Sequence, residues 1–355
     1  MAGNLAFGIR IALNAENSSH ESRAIEIAPD GRTAGRPPAW TQRRSAQADL
    51  AAERPCAPHS FGGPEPLREK YLAVFVGLAP AGLVGLIFVI IPLVISLYVS
   101  LWEWPLLRPG REFLGLGNYA RLLQTPDFWR ALRVTLLYAA GVVGLGTPLA
   151  LLLALALHQV RRGQALFRAA FYLPVAITTV VAAIFWRWLY QPDAGPLALL
   201  WQTLGLRPIA WLSDPAWTLP GLILMALWKQ TGYYVLVYLA GLTTLPAEVR
   251  EAARLDGAGW LAETWYVTLP LLRPITAFVL ITGSIFALES FGPVYVLTGG
   301  GPAGATTTLV LYLYERAFAF SELGYAAALG WALFVLLIPL IWLQFRLWGR
   351  AEVAA

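Results

Sequence analysis

The stretch "LPAEVREAARLDGAGWLAETWYVTLPLLRP", Leu245 to Pro274, lies between two strongly apolar runs at about 219–242 and 275–297. Pro246 suits the first turn of a helix and Glu248 complements its N-terminal dipole. The helix predicted from there passes through Glu251, Ala252, Ala253 and Leu255 until Asp256-Gly257 turns it. Two adjacent alanines leave a surface of little bulk that another chain's backbone can approach, with Arg250, Glu251 and Arg254 supplying charge at its rim. A second short helix, from about Trp260 to Thr268, is predicted to stop at Pro270, and Pro274 opens the next apolar run. A charged helix-turn-helix elbow between two bilayer-length runs predicts an all-α membrane protein with a polar segment outside the lipid.

Outward from the elbow the pattern repeats. Of the 355 residues 57% are hydrophobic and only 13% charged, against roughly 45–50% and about 25% in ordinary soluble domains, which excludes an ordinary soluble enzyme. Apolar runs at about 71–101, 134–157, 166–190, 219–242, 275–297 and 324–347 predict about six transmembrane helices and place both termini on one side. Pro80, Pro92, Pro148 and Pro174 fall within or near these runs, where a membrane bundle can satisfy the freed carbonyls. A narrow majority of the loop Lys and Arg falls on the side of the N-terminus, predicting cytoplasmic termini; the acid-free loop with Arg161, Arg162 and Arg168 is the clearest single signal. Trp186, Trp188 and Tyr190, closing the third run, are assigned to an aromatic belt. Residues 1–66, rich in Arg, Ala, Pro, Ser and Glu, read as a disordered cytoplasmic tail without the apolar core of a signal peptide; alternatively the start lies downstream, near "LREKYLAVF". The membrane domain is then 67–350, with 351–355 a short C-terminal tail.

The same inventory excludes several chemistries. Cys56 is the sole cysteine, and His20, His59 and His158 form no cluster with metal-ligand spacing, so no catalytic or metal residues are assigned. Neither lysine, Lys70 or Lys229, follows a glycine, so a phosphate-binding G-x-x-x-x-G-K loop is absent and any ATP is bound by another chain. The formal net charge of +5 is what cytoplasmic loops of a membrane protein supply, so no nucleic-acid partner is expected; membrane lipid is.

The blocks Glu251-Ala252-Ala253, Asp256-Gly257-Ala258 and Leu269-Pro270 resemble, in identity and spacing, the EAA signature of binding-protein-dependent ABC import permeases. Thr264 departs from it, since sugar permeases often carry Phe there. "GLGNYARLLQTPDFWRAL" from Gly115, "FYLPVAITTVVAAIFWRWLY" from Phe171, "WKQTGYYVLVYLAGL" from Trp228 and "VYVLTGGGP" from Val294 are similar to the carbohydrate-uptake branch. The resemblance implies a permease subunit moving a sugar or polyol across a bacterial or archaeal cytoplasmic membrane. It further implies that residues 245–274 form the coupling segment docking into an ABC ATPase dimer that carries ATP and Mg, and that a second homologous permease and an extracytoplasmic solute-binding protein complete the system. Without the resemblance, the elbow reads equally as an amphipathic loop lying on the membrane surface.

Lys229, about ten or more residues from each end of the fourth run, needs a compensating neighbour. Glu289 is the intramembrane acid that answers it, and the pair either faces the translocation path or forms a structural ion pair between helices. Trp228 and Tyr233 offer flat faces to sugars or serve as packing, and Gly232 permits close approach of a ligand or of a helix. "TGGGPAGATTT", from Thr298, reads as an outer loop. Two other readings compete: an ion-coupled secondary transporter using Lys229 and Glu289, which would show internal repeats that are not evident, and an intramembrane enzyme, for which no span carries a histidine.

Overall fold

The computed structural model describes residues 77–105, 110–160 and 162–348; the tail predicted for 1–66 and the residues 351–355 lie outside them. A two-residue antiparallel ribbon joins β1 (Trp102–Glu103) to β2 (Glu112–Phe113), with Trp102 opposite Phe113. Among the described residues the other regular elements are helices. The first half carries α1 (Gly77–Ser100), α2 (Gly117–Gln124), α3 (Pro126–His158), α4 (Gln164–Ala176), α5 (Thr179–Leu189) and α6 (Pro196–Thr203). The second half carries α7 (Pro215–Thr244), α8 (Ala247–Leu255), α9 (Trp260–Leu271), α10 (Arg273–Leu288), α11 (Gly292–Leu297), α12 (Leu309–Tyr314) and α13 (Leu323–Trp348).

Helices α1, α3, α7 and α13 are each long and apolar enough to cross a bilayer, and the number reaches up to six where each of the bent pairs α4/α5 and α9/α10 counts as one span, α10 being the apolar part of the second pair. The third predicted span is therefore not one straight helix: α4 and α5 meet at 95°. Nor does the fifth run unbroken, since α10 ends at Leu288 and α11 restarts at Gly292. The second span starts at Pro126, well before the predicted 134, because Pro at the first helical position and Asp127 in the first turn favour a start there.

Proline chemistry shapes two further elements. In α1 the turn Leu86–Ile90 widens so that the N–H of Ile91, the residue before Pro92, donates to the Leu86 carbonyl. In α9 the turn Thr264–Thr268 widens likewise, the N–H of Leu269, the residue before Pro270, donating to the Thr264 carbonyl. A proline lacks the N–H that would close the preceding turn, and a wider turn absorbs the defect. The helix predicted to stop at Pro270 thus passes through it and breaks after Leu271, turning by 67° into α10.

Helix α7 packs on α3 and α4, α10 on α3, α13 on α1 and α10, and α11 on α5. Two buried clusters result. One gathers Tyr138, Trp186, Tyr190, Leu222, Met225 and Leu288, and the other Ala150, Ala154, Val235, Tyr238, Leu272 and Val279. Of the three aromatics assigned to a belt only Trp188 is exposed; Trp186 and Tyr190 are buried, and the Tyr190 hydroxyl donates to the Gly221 carbonyl at 2.8 Å. A break in α7's side-chain cover at Gly221 gives that hydroxyl a buried acceptor, which a lipid-facing ring would not need.

Candidate functional site

The elbow is a helix closed by a defined stop. After Leu255, Gly257 adopts φ +85, its N–H donates to the Arg254 carbonyl at 3.1 Å, and the Ala258 N–H donates to the Ala253 carbonyl at 2.9 Å. Those two bonds around a left-handed glycine are a Schellman stop. The geometry gives the spacing of the blocks a physical reason: the last alanine of Glu251-Ala252-Ala253 accepts from the alanine of Asp256-Gly257-Ala258. Nothing lies within 4 Å of where a Gly257 Cβ would sit, so the glycine is required by its backbone angle and not by crowding within the chain.

Glu251, Ala252, Asp256 and Gly257 are exposed, Ala253, Ala258, Leu269 and Pro270 half-buried. Leu255 at the end of α8 is 89% exposed, and Leu261, Trp265 and Tyr266 are exposed on α9. The arginines expected at the rim, of which Arg254 is exposed, also make an internal contact. Arg250 and Arg254, one helical turn apart, both reach Glu263 on α9, each with a 2.8 Å N···O contact. Glu263 is only 4% exposed, so its carboxylate is compensated by the two guanidiniums, whose hydrogen bonds, Arg254's first, hold it below the usual carboxylate range. Arg250 also contacts His158 Nε2 at 3.3 Å, at the end of α3. The elbow is thus tied to α9 and to α3. Sequence reasoning passed over Glu263, although two arginines at i and i+4 facing one acid in the next helix was an available signal.

The second feature is a cavity of about 580 Å³ within the bundle, between the two buried clusters, lined by Lys229, Gln230, Tyr233, Glu289 and Ser290 among others. Lys229 and Glu289 both line it, yet they form no ion pair within 4 Å. The Lys229 ammonium donates instead to the backbone carbonyls of Ile177, at 2.6 Å, and Pro174, at 3.3 Å. Those carbonyls were freed by the α4/α5 break, so the lysine stands in for the amides that a continuous helix would have supplied. The pairing with Glu289 expected from the sequence is replaced by this backbone contact.

Two other pathway residues fall away from the cavity. Trp228 packs against Trp186 and Phe185, with ring centroids 5.7 and 6.3 Å apart. At Gly232 an added Cβ would collide with the Phe171 carbonyl oxygen of α4, so this glycine serves close helix packing, not ligand approach. Gln230 and Ser290, one position from the two ionisable residues, were missed; their signal was polarity inside an apolar run.

Residues 146–351 match the family described as binding-protein-dependent transport system inner membrane component. Over 273 residues the chain is 39% identical to a probable ABC transporter permease of Sinorhizobium fredii, covering 75% of this chain and 88% of that one. Over 264 residues it is 34% identical to the trehalose/maltose transport system permease of Thermococcus litoralis, covering 74% and 89%. The solved bacterial alginate ABC transporter, in complex with alginate pentasaccharide-bound periplasmic protein, contains a chain of the same fold, with a TM-score of 0.71, 23% identity and coverage of 81% and 97%.

Proposed function

The chain belongs to the binding-protein-dependent family of inner-membrane permeases of ATP-binding-cassette importers, and on that premise we propose that it moves a sugar or polyol through the α7/α10 cavity and couples to a separate ATPase through residues 245–274. It is a multi-pass membrane protein whose energy source is another chain's ATP hydrolysis. The trehalose/maltose relative supports the solute class. In this reading a second, homologous permease closes the open side of the pathway, an ATPase dimer binds ATP and Mg, and an extracytoplasmic binding protein delivers solute. Both termini and the elbow are cytoplasmic.

The observation that carries the coupling role is the join between the elbow and the spans. Helix α8 follows α7 after a two-residue connection, and Glu263 clamps α8 to α9, which continues through Leu272 into α10. Closure of the ATPase dimer would move α8 as a rigid unit. That motion would pass at once to α7 and α10, whose side chains line the cavity, and switch it between inward and outward access. Exposed Ala252 allows close approach, and Leu255 at the end of the same helix gives the docking surface an apolar side chain.

The test is cysteine cross-linking. With Cys56 replaced by Ser and Ala252→Cys introduced, the co-expressed ATPase carrying single cysteines along its docking cleft should cross-link to this chain in membranes, with a yield that changes on adding ATP. Uniform failure across the cleft in an assembled, ATP-hydrolysing complex would remove the elbow from the coupling role.

A further inference from the structure

The solute cavity holds opposite formal charges whose positions differ in consequence. The Lys229 ammonium is directed into the carbonyls of Ile177 and Pro174 at the C-terminal end of α4, an end that itself carries about half a negative charge. Its positive charge is thereby compensated by backbone. Glu289 sits at the C-terminal end of α10, exposed and on the cavity wall. Among the described residues no Lys, Arg or His lies within 4 Å of its carboxyl group, and Lys229 is the only basic side chain among the lining residues. The uncapped N-termini of α5, at Thr179, and of the six-residue α11, at Gly292, open on the same space and face the C-terminal end of α10. These are partial charges, whereas the Glu289 carboxyl is the one acidic side chain on the wall.

The remaining walls are neutral. Gln230, Tyr233 and Ser290 supply amide and hydroxyl groups that both donate and accept, and Phe286 and Phe291 supply ring faces. Hydroxyl groups of a solute can donate to Glu289 and exchange hydrogen bonds with these neighbours. A phosphate, sulfonate or uronate would instead meet a carboxyl group and a lysine already engaged.

Resting on the importer reading above, we propose that this cavity selects uncharged, hydroxyl-rich solutes against anionic ones, and that Glu289 is the discriminating residue. Lys229 is then a positioning residue that holds the α4/α5 break in shape and does not receive an anion.

The test uses the complete importer, purified with its second permease and ATPase but without binding protein, so that the membrane site alone is read. Thermal shifts are recorded with trehalose, maltose and sucrose and, separately, with sn-glycerol 3-phosphate, glucose 6-phosphate and digalacturonate. At least one neutral probe should stabilise the complex, and every anionic probe should require at least tenfold higher concentration for the same shift. Glu289→Gln, which keeps shape and hydrogen bonding, should shrink that ratio to less than threefold, with co-purification of all subunits confirming assembly; Glu289→Lys should invert it. An anionic probe equal to the best neutral one, an unchanged ratio in Glu289→Gln, or no shift from either class would overturn the proposal. The importer reading is measured separately, as ATP hydrolysis of the unmodified complex stimulated by its loaded binding protein; its failure with a selective cavity, or its success with an unselective one, tells the two apart.

Discussion

At Gly257 the backbone lies at φ +85 with open space where a Cβ would go. The cost of substitution there follows the residue's tolerance of the left-handed region, about 1–2 kcal/mol for an ordinary L-residue and less for Asn. Gly257→Asn should therefore retain most transport, whereas Gly257→Val should lower transport and solute-stimulated ATP hydrolysis at least tenfold, as read in proteoliposomes. Gly257→Asp adds charge beside Asp256 and should fall with valine. Glu251→Ala should act mildly, because an exposed charge contributes roughly a kcal/mol or less. Lys229 gives a second prediction. Its partners are the backbone carbonyls of Ile177 and Pro174, which a glutamate cannot satisfy as an acceptor, so exchanging the charges through Lys229→Glu with Glu289→Lys should not regain the transport lost in either single variant. Lys229→Met leaves those carbonyls without their donor and should cost about 1–3 kcal/mol in the assembled complex, read as a lowered midpoint of thermal unfolding.

Among the elements, α8 and α9 act as one body because Glu263 holds both Arg250 and Arg254. Glu263→Ala should uncouple ATP hydrolysis from transport, whereas truncating Arg254 alone, which lies on the exposed side of the pair, should be milder. The clamp also has a defined pH range. Glu263 titrates below its ordinary value in the folded protein, so its stabilisation is present in full above the unfolded value near about 4.3 and is lost as pH falls through the lower, folded value. The difference in thermal midpoint between the unmodified complex and Glu263→Gln should stay constant from pH 8 to 5 and shrink only below about pH 4; a difference already vanishing at pH 6 would contradict the clamp. The α4/α5 break is an element-scale feature of another kind. It carries Pro174, but proline elsewhere in these helices, at Pro148, Pro220 and Pro339, leaves the helix continuous, so a proline in an apolar run did not mark where a span would turn by 95°.

For the whole molecule, the cavity and the elbow lie in one chain whose first span, α1, buries none of its most apolar window within the protein. Apart from its packing against α13, such a helix finds its partners in lipid or in another subunit. This chain purified alone should show no ATP-dependent transport, while co-expression with a second permease and an ATPase should yield a stable complex that hydrolyses ATP. A transport-competent oligomer of this chain by itself would contradict the subunit arrangement.

Fold class, the positions of the apolar runs and the elbow could be read from residue order, because bilayer-length apolarity and the left-handed glycine of a helix stop are properties of neighbours along the chain. The Glu251 to Pro270 blocks were recognisable for the same reason, and Lys229 and Glu289 stood out as polarity inside apolar runs. Their partners were decided only by tertiary packing. Lys229 finds carbonyls more than fifty positions away, exposed only because α4 and α5 part company beside α7. Trp186 and Tyr190 leave the expected belt because α5 turns into the bundle, against Trp228 and Gly221. Arg250 and Arg254 both reach Glu263 because α8 packs against α9, where a buried carboxylate must be compensated.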